Sequence, residues 1–383
     1  MRFRVDRDVL AEAVAWTARS LPTRPPVPVL AGLLLDADGT DGGGVSLSGF
    51  DYEVSTRMRV GAQVDEPGRA LVTGRLLSDI CKSLPDRPVT VAVEGAKVSL
   101  TCGSARFSLL TLPVEDYPAL PDLPAATGTV DAAAFAAAVT QVAIAAGRDD
   151  TLPVLTGIRV ELGEETLVLA ATDRYRLAVR ELAWEPGRAG MDAIALVPAR
   201  TLNDTAKALA GSGRLTLALA GGASGEGLIG FEAAGRRTTS RLLEGEFPKY
   251  RSLLPTESAA QAQVDTAGLV DALKRVALVA ERNTPVRLTF EAEELTLDAG
   301  SGDEAQANEV IPARLEGDPL TIAFNPQFLL DGLAALDAPV TQLSFTTPTK
   351  PAVLAGLGSA DQASEPVTSA AYRYLLMPVR LSG

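Results

Sequence analysis

Polar and apolar residues alternate through Arg2-Phe3-Arg4-Val5, which predicts a strand. Asp6 follows as a helix N-cap, and the Ala-, Val- and Leu-rich residues after it run on to Leu10 and beyond with a helical spacing. The same opening returns at Val130-Asp131 to Phe135 and at Val264-Asp265 to Leu269. Each helix leads into a Pro-Val turn and then into alternating segments, such as Gly32 to Asp38 and Gly157 to Leu162, that read as antiparallel strands. A second helix comes next, over Arg75 to Leu84, Arg200 to Leu209 and Gln327 to Leu336, and more alternating strands close the unit.

The second helices start at near-equal steps of 125 and 127 residues (75 to 200, 200 to 327), so the repeat is domain-sized and not a solenoid turn. Other landmarks keep this register. Val27-Pro28-Val29-Leu30-Ala31-Gly32 returns as Leu152-Pro153-Val154-Leu155-Thr156-Gly157, and more faintly as Thr284-Pro285-Val286-Arg287. Phe107 to Leu112-Pro113 with Tyr117-Pro118 matches Leu242 to Phe247-Pro248 with Tyr250, whereas the third copy ends in Tyr374 to Leu381. The expected class is α+β, with three tandem domains over 1–125, 126–257 and 258–383, each of two helices packed on antiparallel sheets.

In the second helix of copy one, Leu76, Leu77, Ile80 and Leu84 cluster on one side and Arg75, Asp79 and Lys82 on the other. Copy two repeats this with Leu202 and Leu209 against Arg200, Asp204 and Lys207. By residue pattern alone, the stripe is a solvated face of i,i+4 Arg/Asp and i,i+3 Asp/Lys pairs. Copy three keeps Asp331 but has Gln327 and Ala334 in place of the bases; its basic groups are Lys274, Arg275 and Arg282, on and after its first helix. Arg24 and Arg148 follow the first helices of copies one and two.

Composition then removes chemistry. The 383 residues contain no histidine, which excludes Ser/His/Asp and Cys/His triads and the usual zinc or non-haem iron ligand sets. No phosphate-binding Gly-x4-Gly-Lys-Ser/Thr loop occurs, and Gly42-Gly43-Gly44 and Gly221 to Gly225 read as flexible turns. The acidic pairs Asp149-Asp150, Glu164-Glu165 and Asp303-Glu304 read as solvated charge, since no apolar setting is visible that would split their pKa values. Cys81 and Cys102 read as reduced, partly buried thiols. The expectation is a non-enzyme with no cofactor and no metal. No apolar run is long enough for a bilayer span or a signal peptide, so a cytoplasmic location without membrane contact is expected. The formal charge of −13 disfavours indiscriminate nucleic-acid binding, although a local basic lining can still track phosphates.

Four segments carry a resemblance that spans essentially the whole chain: Leu152 to Gly157, Ala171-Thr172-Asp173-Arg174-Tyr175-Arg176-Leu177-Ala178-Val179, Glu246-Phe247-Pro248-Lys249-Tyr250 and Leu376-Met377-Pro378-Val379-Arg380-Leu381. The chain resembles the bacterial DNA polymerase III beta subunit family, the sliding clamps. That resemblance implies a head-to-tail homodimeric ring of six domains, helices lining the hole and sheets outside, which encircles duplex DNA without reading sequence and raises polymerase processivity. It gives the bases a destination: Arg24, Arg75, Lys82, Arg148, Arg200, Lys207, Lys274 and Arg282 would face phosphates near the nucleoid. It also implies an outer groove that takes short Gln-Leu-like peptides of the replicative polymerase, clamp loader, ligase and repair polymerases. The matching groove positions are Leu155, Thr172, Arg174, Tyr175, Arg176, Leu177, Pro248, Ser252, Leu253, Pro351, Leu376, Met377, Pro378, Val379, Arg380 and Leu381. Phe107 and Leu109 on an edge strand, with Lys274 and Leu278 on an opposing helix, match the family's dimer interface.

Some positions depart from the family pattern. Arg174-Tyr175 stands where many relatives have Gly with an aromatic or His, Ser252 replaces a frequent base, and Pro351 replaces a small polar residue. Ser382-Gly383 extend the tail, and a polar insertion spans Ser359 to Thr368. Two other functions fit the same fold: a second clamp copy that resists cyclic peptide antibiotics aimed at the groove, and a protein-binding scaffold that never encloses DNA. The Ala, Gly, Arg and Asp usage points to an actinobacterial, GC-rich source.

Overall fold

The computed structural model describes residues 1–38, 43–221, 227–280, 284–300, 305–359 and 371–380. Gly42, Gly222 to Gly225, Arg282, Asp303-Glu304, Leu381, Ser382-Gly383 and all but the first residue of the 359–368 insertion therefore lie outside the described residues. Among the described residues the α-helices are α1 (Arg7–Thr17), α2 (Gly74–Ser83), α3 (Ala132–Ala143), α4 (Ala199–Leu209), α5 (Thr266–Val276) and α6 (Pro326–Leu336), two to each copy of the repeat. Capping explains two of their starts. Asp265 accepts from the Gly268 amide at 2.6 Å, and Asn325 accepts from the Gln327 and Phe328 amides at 3.0 and 3.2 Å ahead of Pro326. Asp6 is an N-cap by position, but its side chain makes no capping bond.

The second helix of copy one buries Leu77, Ile80 and Cys81, with Leu84 behind them. Leu76, expected on that apolar side, is instead 51 % exposed, because the buried face is narrower than the stripe drawn from the sequence. Cys81 and Cys102 are free and fully buried, and burial pushes the Cys81 thiol up to about 12, so it stays protonated and unreactive. Among the described residues no helix is long and apolar enough to cross a membrane.

Packing divides the chain into two compact units, Met1–Ala132 with Gly211–Leu242 and Ala133–Ala210 with Leu243–Gly383. This cuts across the sequence repeat because sheets run from one copy into the next. In the first unit, strand Val54–Gly61 pairs on one edge with Gly44–Phe50 of its own copy. Its other edge takes Arg236–Arg241 of copy two, from Arg236↔Met58 to Ser240↔Val54, and a buried Ser55–Thr239 hydroxyl pair at 2.6 Å locks that register. In the second unit, strand Arg176–Ala183 pairs with Thr166–Thr172 and, on its other edge, with Tyr372–Leu376 of copy three, from Arg176↔Leu376 to Arg180↔Tyr372. The two ladders use corresponding strands of the repeat.

In both units helices pack on strands: α1 on Gly44–Phe50 and Val54–Gly61, α4 on Gly157–Leu162 and Ala193–Pro198, and α6 on Ala352–Leu357 and Tyr372–Leu376. α5 buries Leu269, Ala272, Leu273 and Val276. In the first unit, Val29, Leu34 and Leu71 form a cluster closed by Leu112, Val114, Tyr117 and Leu120 of the connecting segment. In the second, Val168, Ala170, Leu177, Val179, Leu196, Val353 and Leu375 form the matching cluster, closed by Phe247, Tyr250, Leu243 and Leu254. Burial of each large apolar side chain contributes about 1.5 to 3 kcal/mol, so the connectors act as lids on the core as well as tethers.

Candidate functional site

The turn between Thr166–Thr172 and Arg176–Ala183 positions the site. Asp173 accepts from the Tyr175 and Arg176 amides at 3.0 and 3.1 Å, and the Thr172 hydroxyl donates to the Arg176 carbonyl at 2.7 Å. This Asx turn holds Arg174 at φ +79°, a left-handed conformation that suits glycine, so the Arg found there carries backbone strain. The turn lifts Tyr175 to 56 % exposure. The Met377 amide then donates to the Tyr175 carbonyl at 2.9 Å and brings the C-terminal segment alongside.

Arg176 points the other way and is only 6 % exposed. Its Nε reaches Asp173 at 2.9 Å and its Nη1 reaches Asp331 of α6 at 2.6 Å, while the guanidinium lies 4.4 Å from the Phe328 ring centroid. Burial works against that charge, but Tyr374, Asp331 and Asp173 outweigh it and hold the Arg176 pKa above its ordinary value. The Tyr374 hydroxyl, raised chiefly by burial, donates to the Phe328 carbonyl at 2.8 Å. Phe328 in turn stacks on Tyr175 with centroids 6.2 Å apart.

These groups wall a cavity of about 640 Å³ lined by Ala146, Gly147, Arg148, Asp149, Leu152, Leu155, Asp173, Arg174, Tyr175, Arg176, Gln327, Phe328 and Asp331. It therefore gathers Leu155, Arg174, Tyr175 and Arg176 of the expected groove, together with Arg148, which the sequence reading assigned to DNA. Leu152, Gln327, Phe328 and Asp331 were missed. One signal was available: the aspartate of the second helix recurs at Asp79, Asp204 and Asp331, and at Asp331 it stands without the basic neighbours that make the stripe of copies one and two a face of ion pairs. Gln327 does bond one Asp331 oxygen at 2.8 Å, but the other oxygen takes Arg176.

The remaining groove positions fall into two sets. Leu177 and Leu376 are buried floor, at 1 % and 0 %, and Thr172 is buried beside them at 4 %. Leu253, Met377 and Val379 are 50 %, 40 % and 38 % exposed, and Pro248, Ser252, Pro351, Pro378 and Arg380 are exposed or half-buried. The Val379 amide donates to the Ala323 carbonyl at 2.8 Å, which ties the tail to the domain. Ser252 bonds back to the Lys249 carbonyl at 2.8 Å. Behind this surface, burial and Arg159 and Arg251 act in opposite senses on Glu161. The two guanidinium groups prevail and hold the carboxyl below its ordinary range. Arg251 also lies over the Tyr250 ring at 5.3 Å.

Arg24, Arg75, Lys82, Arg148, Arg200, Lys207 and Lys274 are all exposed. Lys82 makes the i,i+3 contact with Asp79 at 3.7 Å, an exposed pair of little energetic weight. At the expected interface Leu278 is 84 % exposed and Phe107 36 %. Leu109 is in the core at 4 %, and Leu110, which the sequence reading passed over, stands 69 % exposed. Among the described residues no cluster of three or more His, Cys, Asp or Glu is arranged to hold a metal.

Family models of the DNA polymerase III beta subunit match the chain three times, as the N-terminal domain over residues 1–121, the central domain over 129–249 and the C-terminal domain over 251–368. The chain is 62 % identical to the beta sliding clamp of Streptomyces coelicolor over 383 residues, covering 100 % of both. It is 50 % identical over 381 residues to the beta sliding clamp homolog GriR of Streptomyces muensis, covering 99 % of each. A crystal structure of a Pseudomonas aeruginosa sliding clamp (DNA polymerase III subunit beta) bound to griselimycin superposes with a TM-score of 0.89 at 26 % identity, over 100 % of both chains.

Proposed function

Because the chain belongs to the DNA polymerase III beta subunit family, we propose that two copies close into a ring around duplex DNA and tether the polymerase to it. The full-length match to a sliding clamp carries this reading. The repeat supplies its geometry. Strand Ala105–Leu112 pairs through one edge with Lys97–Cys102, and residues 307–312 of strand Ala307–Glu316 pair through one edge with Glu294–Ala299. These are the strands that correspond, copy for copy, to the partners in the two internal ladders. Thr238↔Thr56 and Tyr374↔Ala178 then map onto a third pairing, Phe107 opposite Ala307 of a second copy. A head-to-tail contact of this kind closes two chains into a ring. Phe107, Leu110 and Leu278 supply apolar surface that such closure would cover.

The cavity and the Leu253/Met377/Val379 surface together form the partner-peptide groove. An apolar residue of a peptide would insert beside Phe328 and Tyr175, with Arg174 and Arg148 at the rim for its polar groups. Polymerase, clamp loader, ligase and repair polymerases would take this site in turn, as would griselimycin, which is bound to the Pseudomonas protein. The ring acts as an accessory subunit in the cytoplasm, with no catalytic residues, cofactor or metal of its own. A second, antibiotic-resistant copy is the weaker reading, because the chain is more alike to a protein described as the beta sliding clamp, at 62 %, than to one described as a beta sliding clamp homolog, at 50 %.

Molar mass in solution tests closure: twice 39.8 kDa is expected, and a stable monomer would defeat the ring. Retention on nicked circular DNA that is lost once the circle is cut would establish topological linkage. Retention on linear DNA with free ends would refute it.

A further inference from the structure

Arg180 is used by neither the groove nor the exposed cations. It follows Arg176 by four positions on one strand, so the two side chains share a sheet face, and Arg176 identifies that face as the one covered by α6. Opposite Arg180 in the ladder stands Tyr372, whose hydroxyl donates to the Gln141 carbonyl of α3 at 3.1 Å. The Gln141 side-chain amide in turn donates to the Ala335 carbonyl of α6 at 2.8 Å. Arg180 is therefore rooted beneath the place where α3 meets α6. Its Nε is buried without a partner while the residue as a whole is half-buried.

Its neighbours are neutralised and it is not. Arg176 has Asp173 and Asp331, Arg373 has Glu181, and Arg159 and Arg251 share Glu161. Among the described residues no carboxylate pairs with Arg180, and burial lowers its pKa. The corresponding residue of copy one is Met58, 8 % exposed, and that of copy three is Glu309, paired with Arg275 of α5 at 3.0 Å. The fold therefore accepts an apolar residue or a neutralised charge at this place. A half-buried guanidinium with no counter-charge costs desolvation that packing does not require.

We propose that Arg180 is a phosphate-contact residue, held between α3 and α6 so that its guanidinium meets the backbone of the enclosed duplex. The assignment rests on the reading of the chain as a ring around DNA. Contact to a phosphate is independent of sequence, as a sliding protein needs.

The test is equilibrium binding of the full-length protein to a short blunt duplex between about 50 and 200 mM salt, for wild type, Arg180→Met and Arg180→Lys. Loss of one phosphate contact should make the slope of log K against log salt shallower by about 0.9 in Arg180→Met and leave it unchanged in Arg180→Lys. A wild-type slope in Arg180→Met, with wild-type affinity, would overturn the proposal and leave Arg180 as a packing residue. Molar mass and melting temperature check folding; if the Met variant fails either, Arg180→Gln is read on the same slope with the same two outcomes. Wild type that neither binds the duplex nor stays on nicked circles would instead overturn the ring reading itself.

Discussion

The ladder joining copies one and two and the ladder joining copies two and three run in the same register, and each follows the same turn. Asp51 accepts from the Glu53 and Val54 amides as Asp173 accepts from those of Tyr175 and Arg176, and Tyr52 stands at φ +77° as Arg174 stands at +79°. The side chains on these matching backbones differ. At the first junction Phe50 and Tyr52 pack edge to face at 5.7 Å, and the place of Arg176 is taken by the neutral Val54. At the second, Thr172 replaces Phe50, Arg176 reaches Asp331, and the Tyr175–Phe328 stack walls an open cavity. A handful of substitutions on a shared turn is enough to give the second junction a cavity walled by charged and aromatic side chains.

The largest expected effect removes what the second junction has beyond its ladder. Deleting Met377 to Gly383 should abolish binding of a Gln-Leu-type peptide, measured by fluorescence anisotropy, while molar mass stays that of two chains. Unchanged peptide affinity would show that the tail is no part of the groove. Next, Arg176→Val gives the second junction the residue of the first, and it strands Asp331 and Asp173 beside a cavity wall. A loss of about 3 to 5 kcal/mol in denaturant unfolding is expected, with part regained when Asp331→Leu is added. If the single variant unfolds like wild type, the buried pair does not hold α6 to the turn.

Smaller effects separate backbone from side chain. Arg174→Gly should relieve about 1 kcal/mol of left-handed strain. Tyr52→Gly relieves the same strain but loses the Phe50 contact, so it should be the less stable of the two in thermal melts. Equal melting temperatures would mean that the aromatic pair adds nothing to stability. The smallest effect concerns Glu161. Its pKa is depressed in the folded state, so its contribution is present above the ordinary glutamate range and is lost as pH falls through the folded value. Acid titration should therefore loosen Arg251 and Tyr250 at the groove's edge, read by Tyr250 fluorescence or amide exchange, and Glu161→Gln should remove that step.

Much of the fold was legible because its signals are local. The second helices begin within a residue of the expected positions, at Gly74, Ala199 and Pro326, because their periodicity is local; only the last of them, behind Asn325, is capped by a side chain. The misplacements are those of facing. Leu76 is exposed and Leu109 buried, since a period marks which residues share a face but not how wide a neighbour covers it. In the site, the turn residues Arg174 to Arg176 were legible as a motif. Phe328 and Asp331 were not, because they meet Arg176 from 152 (328 − 176) and 155 positions away along the chain.

The sequence by itself determined the threefold repeat, the alternation of strands and helices within it, the absence of histidine chemistry and the family, since each depends on residue order or residue type. Only the tertiary structure decided that strands cross from copy to copy, that the turn at Asp173 to Arg176 walls a cavity, and that Arg176 is neutralised while Arg180 is not. Those outcomes depend on which distant side chain arrives opposite a given position, and pairing across a sheet or under a helix is set by packing in three dimensions rather than by any local pattern.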